Sequence, residues 1–227
     1  RRRKKAGDGR RVEPLYTLED AQAVLALFRT VRYGHATEVL PGVELVFRDA
    51  GHILGSASVW LRLREGDLER RLVFSGDLGQ YDTPILCDPE SGPGADLVLM
   101  ESTYGDRRHR DRDATLEEFG AILRAARDDG GNVLIPAFAV GRSQEILYEL
   151  AAHFDAWEVD RWQVFLDSPM AIEASEVYWN HPELYDDEMV AFLGAELRQL
   201  RLEHRVDLLD DVRLQLLGTE LRIEQPI

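Results

Sequence analysis

The amino-acid sequence predicts an α/β fold made of two regions that differ in character. Before residue 100, short apolar segments alternate with turns that contain glycine and polar residues, which indicates a strand-rich layer. After Gly105, apolar strands alternate with amphipathic helical segments, and this order is typical of a parallel sheet covered by helices. Hydrophobic residues make up 44% of the 227 residues, which is enough to build a packed core.

The first region is predicted to begin with a helix and to continue as strands. Thr17 and Asp20 form a capping-box pattern, which marks a helix start. The apolar residues that follow share one helical face: Leu18, Ala21, Leu25 and Phe28. Alternating or short apolar runs predict strands at 43–48, 59–64, 72–74 and 97–100.

The second region is predicted to alternate helices and strands. Thr115 with Glu118 forms another capping-box pattern, so a helix is expected to begin there. Strands are expected at 133–135 and 164–166, and the apolar face of a helix is expected between them at 146–154. Ser168 followed by Pro169 predicts the start of a further helix, because proline is favoured in the first helical turn.

The charge balance of the chain is strongly acidic. With 42 acidic and 27 basic residues the net charge is −15, which argues against broad electrostatic binding to nucleic acid, since such binding needs clustered positive charge. Two segments nevertheless concentrate basic residues, at 1–11 and at 107–112. Charge runs are usually solvated and we favour that interpretation, with contact to phosphates as the alternative for both segments.

The composition also bounds the cellular context. A single cysteine, Cys87, excludes an internal disulfide and a cysteine-rich zinc module. The longest uncharged stretches fall short of the ~20 apolar residues that a membrane helix needs. The basic start is not followed by the apolar run of a secretory signal. The sequence therefore predicts a cytoplasmic protein with no membrane partner.

Three polar residues follow or flank predicted strands and have glycine or serine close by: His52, Asp77 and Glu101. Small neighbours allow the backbone to approach a ligand or a metal ion closely. Imidazole and carboxylate groups are common ligands of zinc. Taken singly, each residue has an ordinary alternative, because a loop histidine more often makes a hydrogen bond and an acid at a strand end is often a cap or turn residue.

Six segments of the chain, taken in order, resemble the metallo-β-lactamase-fold nucleases that carry a β-CASP insertion, a family of RNA-processing hydrolases. The segments are PLYT at 14–17, DAGHILGSAS at 49–58, FSGDLG at 74–79, ESTYGDR at 101–107, IPAFAVGRSQE at 135–145 and DSPMA at 167–171. One such segment would carry little information, whereas six in family order make the resemblance specific.

The resemblance implies a fold and an activity. Residues 1–104 would form part of a metallo-β-lactamase αββα sandwich, and residues 105–190 would form part of a β-CASP domain with a parallel sheet. Residues 191–227 form a tail without assignment. The implied activity is zinc-dependent cleavage of RNA, with two Zn²⁺ ions in the complete protein. RNA is then the expected partner, and a homodimer is left open.

The resemblance also implies roles for the three polar residues. His52 matches a zinc-binding histidine, and Asp77 matches an aspartate that bridges two zinc ions and takes part in catalysis. Glu101 matches an acidic catalytic residue that assists proton transfer through a histidine near the metal site. Two bound ions would share a hydroxide with a pKa of about 7 and would stabilise charge on the attacked phosphate.

Two further residues are candidates for contact with RNA. Arg142 opens a helix after Gly141, so its guanidinium and the nearby backbone N–H groups are suited to a phosphate. Helix capping combined with a surface ion pair is an equal alternative. Ser168 is a second candidate phosphate contact, although its place before Pro169 is more typical of an N-cap.

Two family motifs have no counterpart in the sequence. The His-x-His-x-Asp-His metal motif precedes the PLYT segment in relatives, and the late histidine motifs, among them Ser-Ala-His, follow the insertion. The chain is therefore expected to be a fragment that carries part of a two-metal site and is inactive alone. A non-catalytic scaffold subunit of an RNA-processing complex is one alternative, and a hydrolase of small esters with the same fold is another.

Overall fold

The computed structural model describes residues 14–195 and 220–224 and confirms the predicted α/β class. In the first region a helix precedes a five-stranded sheet. The elements are α1 (Leu18–Leu25), β1 (Thr37–Leu40), β2 (Val43–Asp49), β3 (Ala57–Glu65), β4 (Leu68–Phe74) and β5 (Leu97–Leu99). The sequence did not predict β1, because a strand of four residues is too short to display alternation.

The first sheet keeps its strands in chain order. The pairs from β1 to β4 are antiparallel, and β5 runs parallel to β4. A tight hairpin joins β3 to β4, where Glu65 pairs with Leu68. Gly66 in this turn has a φ of 58°, a left-handed conformation that glycine adopts without steric cost.

Helix α1 confirms the predicted capping box. The Thr17 hydroxyl accepts a hydrogen bond from the Asp20 N–H at 3.2 Å, and the Asp20 carboxylate accepts one from the Thr17 N–H at 2.8 Å. The predicted apolar face is nevertheless not packed, since α1 contains no buried residue. Local sequence therefore specifies this helix without specifying its place in a core.

The second region alternates helices and strands as predicted. Its elements are α2 (Arg112–Asp128), β6 (Val133–Pro136), α3 (Arg142–Ala152), β7 (Gln163–Asp167), α4 (Pro169–Trp179), α5 (Asp187–Ala195) and β8 (Glu220–Glu224), with 3₁₀ turns at Val159–Arg161 and Pro182–Leu184. Among the helices of the described residues, none is long and apolar enough to span a membrane.

The N-cap of helix α2 lies four residues earlier than the sequence suggested. This N-cap is Asp111, whose carboxylate accepts a hydrogen bond from the Ala114 N–H at 2.9 Å. The expected start at Thr115 is therefore wrong. Aspartate is a strong N-cap, and an earlier start places Arg112 in the first turn, where its guanidinium forms ion pairs with α3.

The second sheet differs from the parallel sheet that the sequence predicts. Strand β8 lies between β6 and β7 and pairs antiparallel with both. Strands β6 and β7 therefore run in the same direction, as a strand–helix–strand unit requires, but they do not pair with each other. The expectation of direct parallel pairing is wrong, because the strand between them comes from the tail, to which no element was assigned from the sequence.

Two buried clusters hold the structure together. One lies within the second region, between its helices and the second sheet, and is centred on Leu123, Leu150, Trp157, Val159 and Trp162. The other brings Ile85, Leu54 and Leu86 of the first region against Tyr148, Tyr178, Tyr185 and Met189 of the second. The second cluster is therefore the joint between the two regions.

Candidate active site

The topology of the first sheet places three loops at one edge. Strands β2 and β4 both pair antiparallel with β3, so they run in the same direction, and β5 runs parallel to β4. The carboxyl ends of β2, β4 and β5 therefore meet at the same edge of the sheet. His52, Asp77 and Glu101 all follow these ends, so the structure brings together the three loops that carry them.

The loop after β2 holds His52 on a rigid backbone. The Asp49 carboxylate accepts a hydrogen bond from the Gly51 N–H at 2.8 Å, and the Ser56 hydroxyl accepts one from the His52 N–H at 3.0 Å. Gly51 is buried and has a φ of 61°. These two hydrogen bonds fix the backbone of the loop, while the His52 side chain is exposed.

The loop after β4 packs directly on the His52 loop. The Gly79 N–H donates a hydrogen bond to the Ala50 carbonyl at 2.8 Å, and a Cβ atom at position 79 would overlap the carbonyl oxygen of Gly51. Glycine is needed here because the two backbones touch. Asp77 lies two residues earlier and is exposed. Its carboxylate has no hydrogen bond or ion pair with any residue in the described ranges.

Glu101 connects the loops after β4 and β5. One carboxylate oxygen accepts a hydrogen bond from the Leu78 N–H at 3.2 Å, and the other accepts one from the Thr103 N–H at 3.0 Å. The Glu101 N–H in turn donates to the Ser75 hydroxyl at 3.0 Å. These bonds place the Glu101 carboxylate beside the residue that follows Asp77.

The hydrogen bonds to Glu101 favour its ionised form. Its pKa lies below the ordinary value, chiefly because of the bonds from Thr103, then that from Leu78, with a smaller attraction from His52. The carboxylate is therefore a charged acceptor at neutral pH. A carboxylate held in its charged form is suited to align neighbouring groups and to stabilise a protonated partner.

The second region also contacts the His52 loop. The Tyr178 hydroxyl oxygen accepts a hydrogen bond from the Leu54 N–H at 3.1 Å. Gly141, with a φ of 84°, lies so close to Ile53 that a Cβ atom there would be 2.9 Å from the Ile53 side chain. The sequence predicts neither contact, because Tyr178 lies in a helix without a motif and the glycine signals only a turn.

Arg142 and Ser168 lie in the second region at helix starts. The Arg142 guanidinium forms an ion pair with Glu145 at 2.5 Å, and 56% of its side chain is exposed. The Ser168 hydroxyl accepts a hydrogen bond from the Ala171 N–H at 3.2 Å as the N-cap of α4, and the residue is buried. Arg142 therefore forms a surface ion pair and Ser168 caps a helix, which are the structural alternatives stated above. Contact with RNA stays a prediction for each residue.

The backbone donors near Arg142 are also partly occupied. The Gln144 side chain accepts a hydrogen bond from the Gly141 N–H at 2.8 Å, and the Ser143 N–H donates to the Phe138 carbonyl at 3.2 Å. The amide nitrogen of Gln144 donates to the Ser175 hydroxyl at 2.9 Å. The side chain of this buried glutamine joins α3 to α4, a role that the sequence does not predict, because only the residue's polarity and its place at the helix start are visible there.

The side chains of His52 and Asp77 are of the types that bind zinc, but two ligands are too few for a tight site. His52 offers an imidazole and Asp77 a carboxylate, and both are zinc ligands. A tight site needs three or four protein ligands, and the described residues contain no group of three histidine, cysteine, aspartate or glutamate side chains placed to hold one ion. The described residues therefore do not form a complete metal site by themselves.

Comparison with known proteins identifies related sequences. Residues 143–218 match the family model of the Beta-Casp domain, a range that continues past residue 190 into the tail. The chain is 42% identical over 179 residues to Ribonuclease TTHA0252 of Thermus thermophilus, covering 79% of this chain and 40% of the relative.

Two archaeal proteins, both named Transcription termination factor FttA, are also similar. Identity is 35% over 196 residues to that of Cenarchaeum symbiosum, covering 84% of this chain and 28% of the relative. Identity is 31% over 193 residues to that of Methanothermobacter thermautotrophicus, covering 81% of this chain and 29% of the relative. The chain thus spans less than half the length of each of these relatives.

Proposed function

Because the chain belongs to the metallo-β-lactamase family that carries a β-CASP domain, we propose that its protein is a zinc-dependent hydrolase that cleaves RNA. The observation that carries this proposal is the meeting of the His52, Asp77 and Glu101 loops at one sheet edge. The choice of RNA rests on relatives named as a ribonuclease and as transcription termination factors.

In the proposed site, His52 and Asp77 would hold the metal. Their exposed side chains extend from loops whose backbones are fixed to each other through Gly79 and Ala50. Asp77 suits a bridging position, because a carboxylate has two oxygens and neither is engaged by the described residues. The remaining ligands would have to come from outside the described residues. When bound, zinc supplies a hydroxide at neutral pH and stabilises charge on the phosphate.

Glu101 has two tasks in this proposal. Its bond to the Leu78 N–H keeps the Asp77 loop at the distance that the site needs. Its charged carboxylate would assist proton transfer through a histidine near the metal site, by stabilising the protonated imidazole while itself remaining ionised. The two tasks share one requirement, namely that the carboxylate stays ionised, and the hydrogen bonds from Thr103 and Leu78 support that state.

Arg142 and Ser168 are proposed to contact the RNA backbone away from the reacting phosphate. Arg142 lies next to Gly141, which touches the His52 loop at Ile53, so its guanidinium can exchange Glu145 for a phosphate with a change of rotamer. The contribution of Ser168 is limited by its burial and its capping bond, so we expect a smaller effect on RNA binding from its loss.

The proposal is tested by cleavage of single-stranded RNA by the protein at its full natural length. Replacing Asp77 with Asn preserves shape but removes the charge, so cleavage should fall by at least ~10³-fold, equivalent to about 4 kcal/mol in the barrier. A chelator should abolish cleavage and added zinc should restore it.

The matched control is Asp67→Asn, which changes an exposed acid in the β3–β4 turn at the opposite edge of the sheet. It should cleave RNA at the wild-type rate. Near-normal cleavage by Asp77→Asn, or cleavage that persists in excess chelator, would refute the metal-dependent assignment. Hydrolysis of small esters without cleavage of RNA would show that the substrate is a small ester and not RNA.

A further inference from the structure

A basic loop follows Glu101 directly and has no role in the chemistry proposed above. We define the arginine loop as residues 102–111, all of which are exposed. It connects β5, which ends beside the candidate active site, to α2 of the second region. In a chain with a net charge of −15, the arginines that cluster from residue 107 onwards stand out from their surroundings.

The arginines of this segment divide into two groups. Arg112, just after the loop, forms ion pairs with Glu145 and Glu149, and Arg110 forms one with Glu118 at 2.5 Å. Each of these two arginines therefore has an acidic partner within the protein. Arg107 has only a distant acid, Asp106, at 3.8 Å, and Arg108 contacts no acidic side chain in the part of the chain that the structure describes.

Arg107 lies beside an exposed pair of aromatic rings. The ring centroids of Tyr104 and His109 are 4.0 Å apart with the planes inclined at 37°, and the Arg107 guanidinium carbon lies 5.3 Å from the Tyr104 centroid. Tyr104 is 51% exposed, so the stack opens to solvent and does not belong to either buried cluster. Planar groups presented in this way provide faces on which a further flat group can stack.

The stack lies close to the candidate active site. The chain turns tightly after Glu101, with the Gly105 N–H donating to the Ser102 carbonyl at 3.1 Å. Three peptide units separate Glu101 from Tyr104, so their Cα atoms are at most about 11 Å apart. Successive stacked nucleotides rise ~3.4 Å, so this distance corresponds to about three nucleotides.

We propose that the arginine loop binds single-stranded RNA next to the phosphate that is cleaved, with a base stacked on Tyr104 and His109 and flanking phosphates held by Arg107 and Arg108. This inference rests on the proposed function and specifies its substrate. Stacking requires an unpaired base, because a base in a duplex has its faces covered by its neighbours. The loop therefore selects single strands and does not read base identity.

Binding is tested with the protein at its full natural length in an Asp77→Asn background, so that RNA is bound but not consumed. The probe is a fluorescent single-stranded RNA, compared with the same strand carrying abasic sites one to three nucleotides from the cleaved bond. Replacing Tyr104 with Leu should weaken binding of the ordinary strand about five- to 150-fold. It should leave the abasic strand unaffected, and Tyr104→Phe, which keeps the ring, should bind like the parent.

The arginines are tested separately from the ring. Replacing Arg107 and Arg108 together with Ala should weaken both strands equally and reduce the slope of log affinity against log salt by about 1.4, or ~0.7 for each phosphate. The matched control replaces both Arg110 and Glu118 with Ala, which removes an ion pair without changing the local net charge and should change affinity less than twofold.

The outcomes separate this inference from the proposed function. If the wild-type protein cleaves RNA but Tyr104→Leu binds both strands like its parent, the arginine loop is not a stacking site and the proposed function stands. The inference is also overturned if Tyr104→Leu weakens binding of the ordinary and abasic strands equally, or if the parent protein binds duplex RNA more tightly than single-stranded RNA. A protein that neither binds nor cleaves RNA overturns both.

Discussion

The two regions of the molecule are built in opposite ways. In the second region, apolar side chains from the helices and the second sheet pack into a buried cluster around Leu123 and Trp157. In the first region, α1 buries none of its residues, and strand β5 leaves Leu97 and Val98 more than half exposed. The candidate active site nevertheless lies in the first region, on loops that are joined by polar contacts.

This difference indicates that stability and chemistry have separate sources. Backbone hydrogen bonds and the contact between Gly79 and Gly51 fix the loops that carry His52 and Asp77. The second region contributes by holding the His52 loop from the side through Tyr178. The site is therefore positioned by directional contacts, together with the packing of Leu54 from the His52 loop in the cluster that joins the two regions.

Two glutamates illustrate the same contrast. Burial raises the pKa of Glu149 in the second region, and the nearby Arg112 offsets this only in part. Hydrogen bonds from Thr103 and Leu78 lower the pKa of Glu101 in the first region. The first acid is buried and pairs with a partly exposed arginine, and the second is kept charged at the edge of the candidate active site.

The largest expected effect on stability comes from the core of the second region. In the 227-residue chain, Leu123→Ala should lower the free energy of unfolding by about 2–5 kcal/mol, because a fully buried leucine leaves a cavity. Leu97→Ala, the same change on exposed β5, should cost less than ~1 kcal/mol. Urea unfolding of both variants checks this. Equal losses would show that the first region has a core that the described residues do not reveal.

A smaller effect is expected where the two site loops touch. Gly79→Ala should destabilise the protein by about 1–3 kcal/mol, because the new methyl group overlaps the Gly51 carbonyl and separates the loops. Gly94→Ala is the matched control, since a Cβ atom there meets nothing within 4 Å. Amide hydrogen exchange at positions 78 and 79 should accelerate only in the first variant. Unchanged exchange would mean that the close approach does not exist in solution.

The smallest effect is expected at the contact between the regions. Tyr178→Phe removes the oxygen that accepts the Leu54 N–H and should cost about 1 kcal/mol. The Leu54 amide should then exchange faster with solvent. Tyr81→Phe, in an exposed loop, serves as the control and should change neither quantity. Normal protection of Leu54 in Tyr178→Phe would remove the proposed support of the His52 loop by the second region.

Local sequence signals predicted much of the fold. Strands β2 to β7 and helices α1, α3 and α4 follow from periodicity, caps and glycine turns, which act over a few residues. The insertion of β8 between β6 and β7 depends on pairing across more than fifty residues of chain, which no local pattern encodes. The start of α2 was misplaced because two capping candidates, Asp111 and Thr115, lie close together.

The candidate site was predicted residue by residue but not as a geometry. His52, Asp77 and Glu101 could be found because polar residues with small neighbours follow apolar strands, and family resemblance gave them roles. That their loops share an edge follows from strand direction, which only the topology supplies. The contacts through Gly79 and Tyr178 join residues distant in sequence, so the sequence alone could not predict them.

The central claim is that His52 and Asp77 hold metal while Glu101 positions them, and zinc content tests it most directly. The protein at its full natural length is dialysed and analysed for zinc per chain as wild type, Asp77→Asn, Glu101→Gln and the control Asp67→Asn. Asp77→Asn should lose at least one of two ions, since an amide offers one oxygen where the carboxylate offers two. Glu101→Gln and the control should keep both. An Asp77→Asn protein that retains both zinc ions would contradict the account.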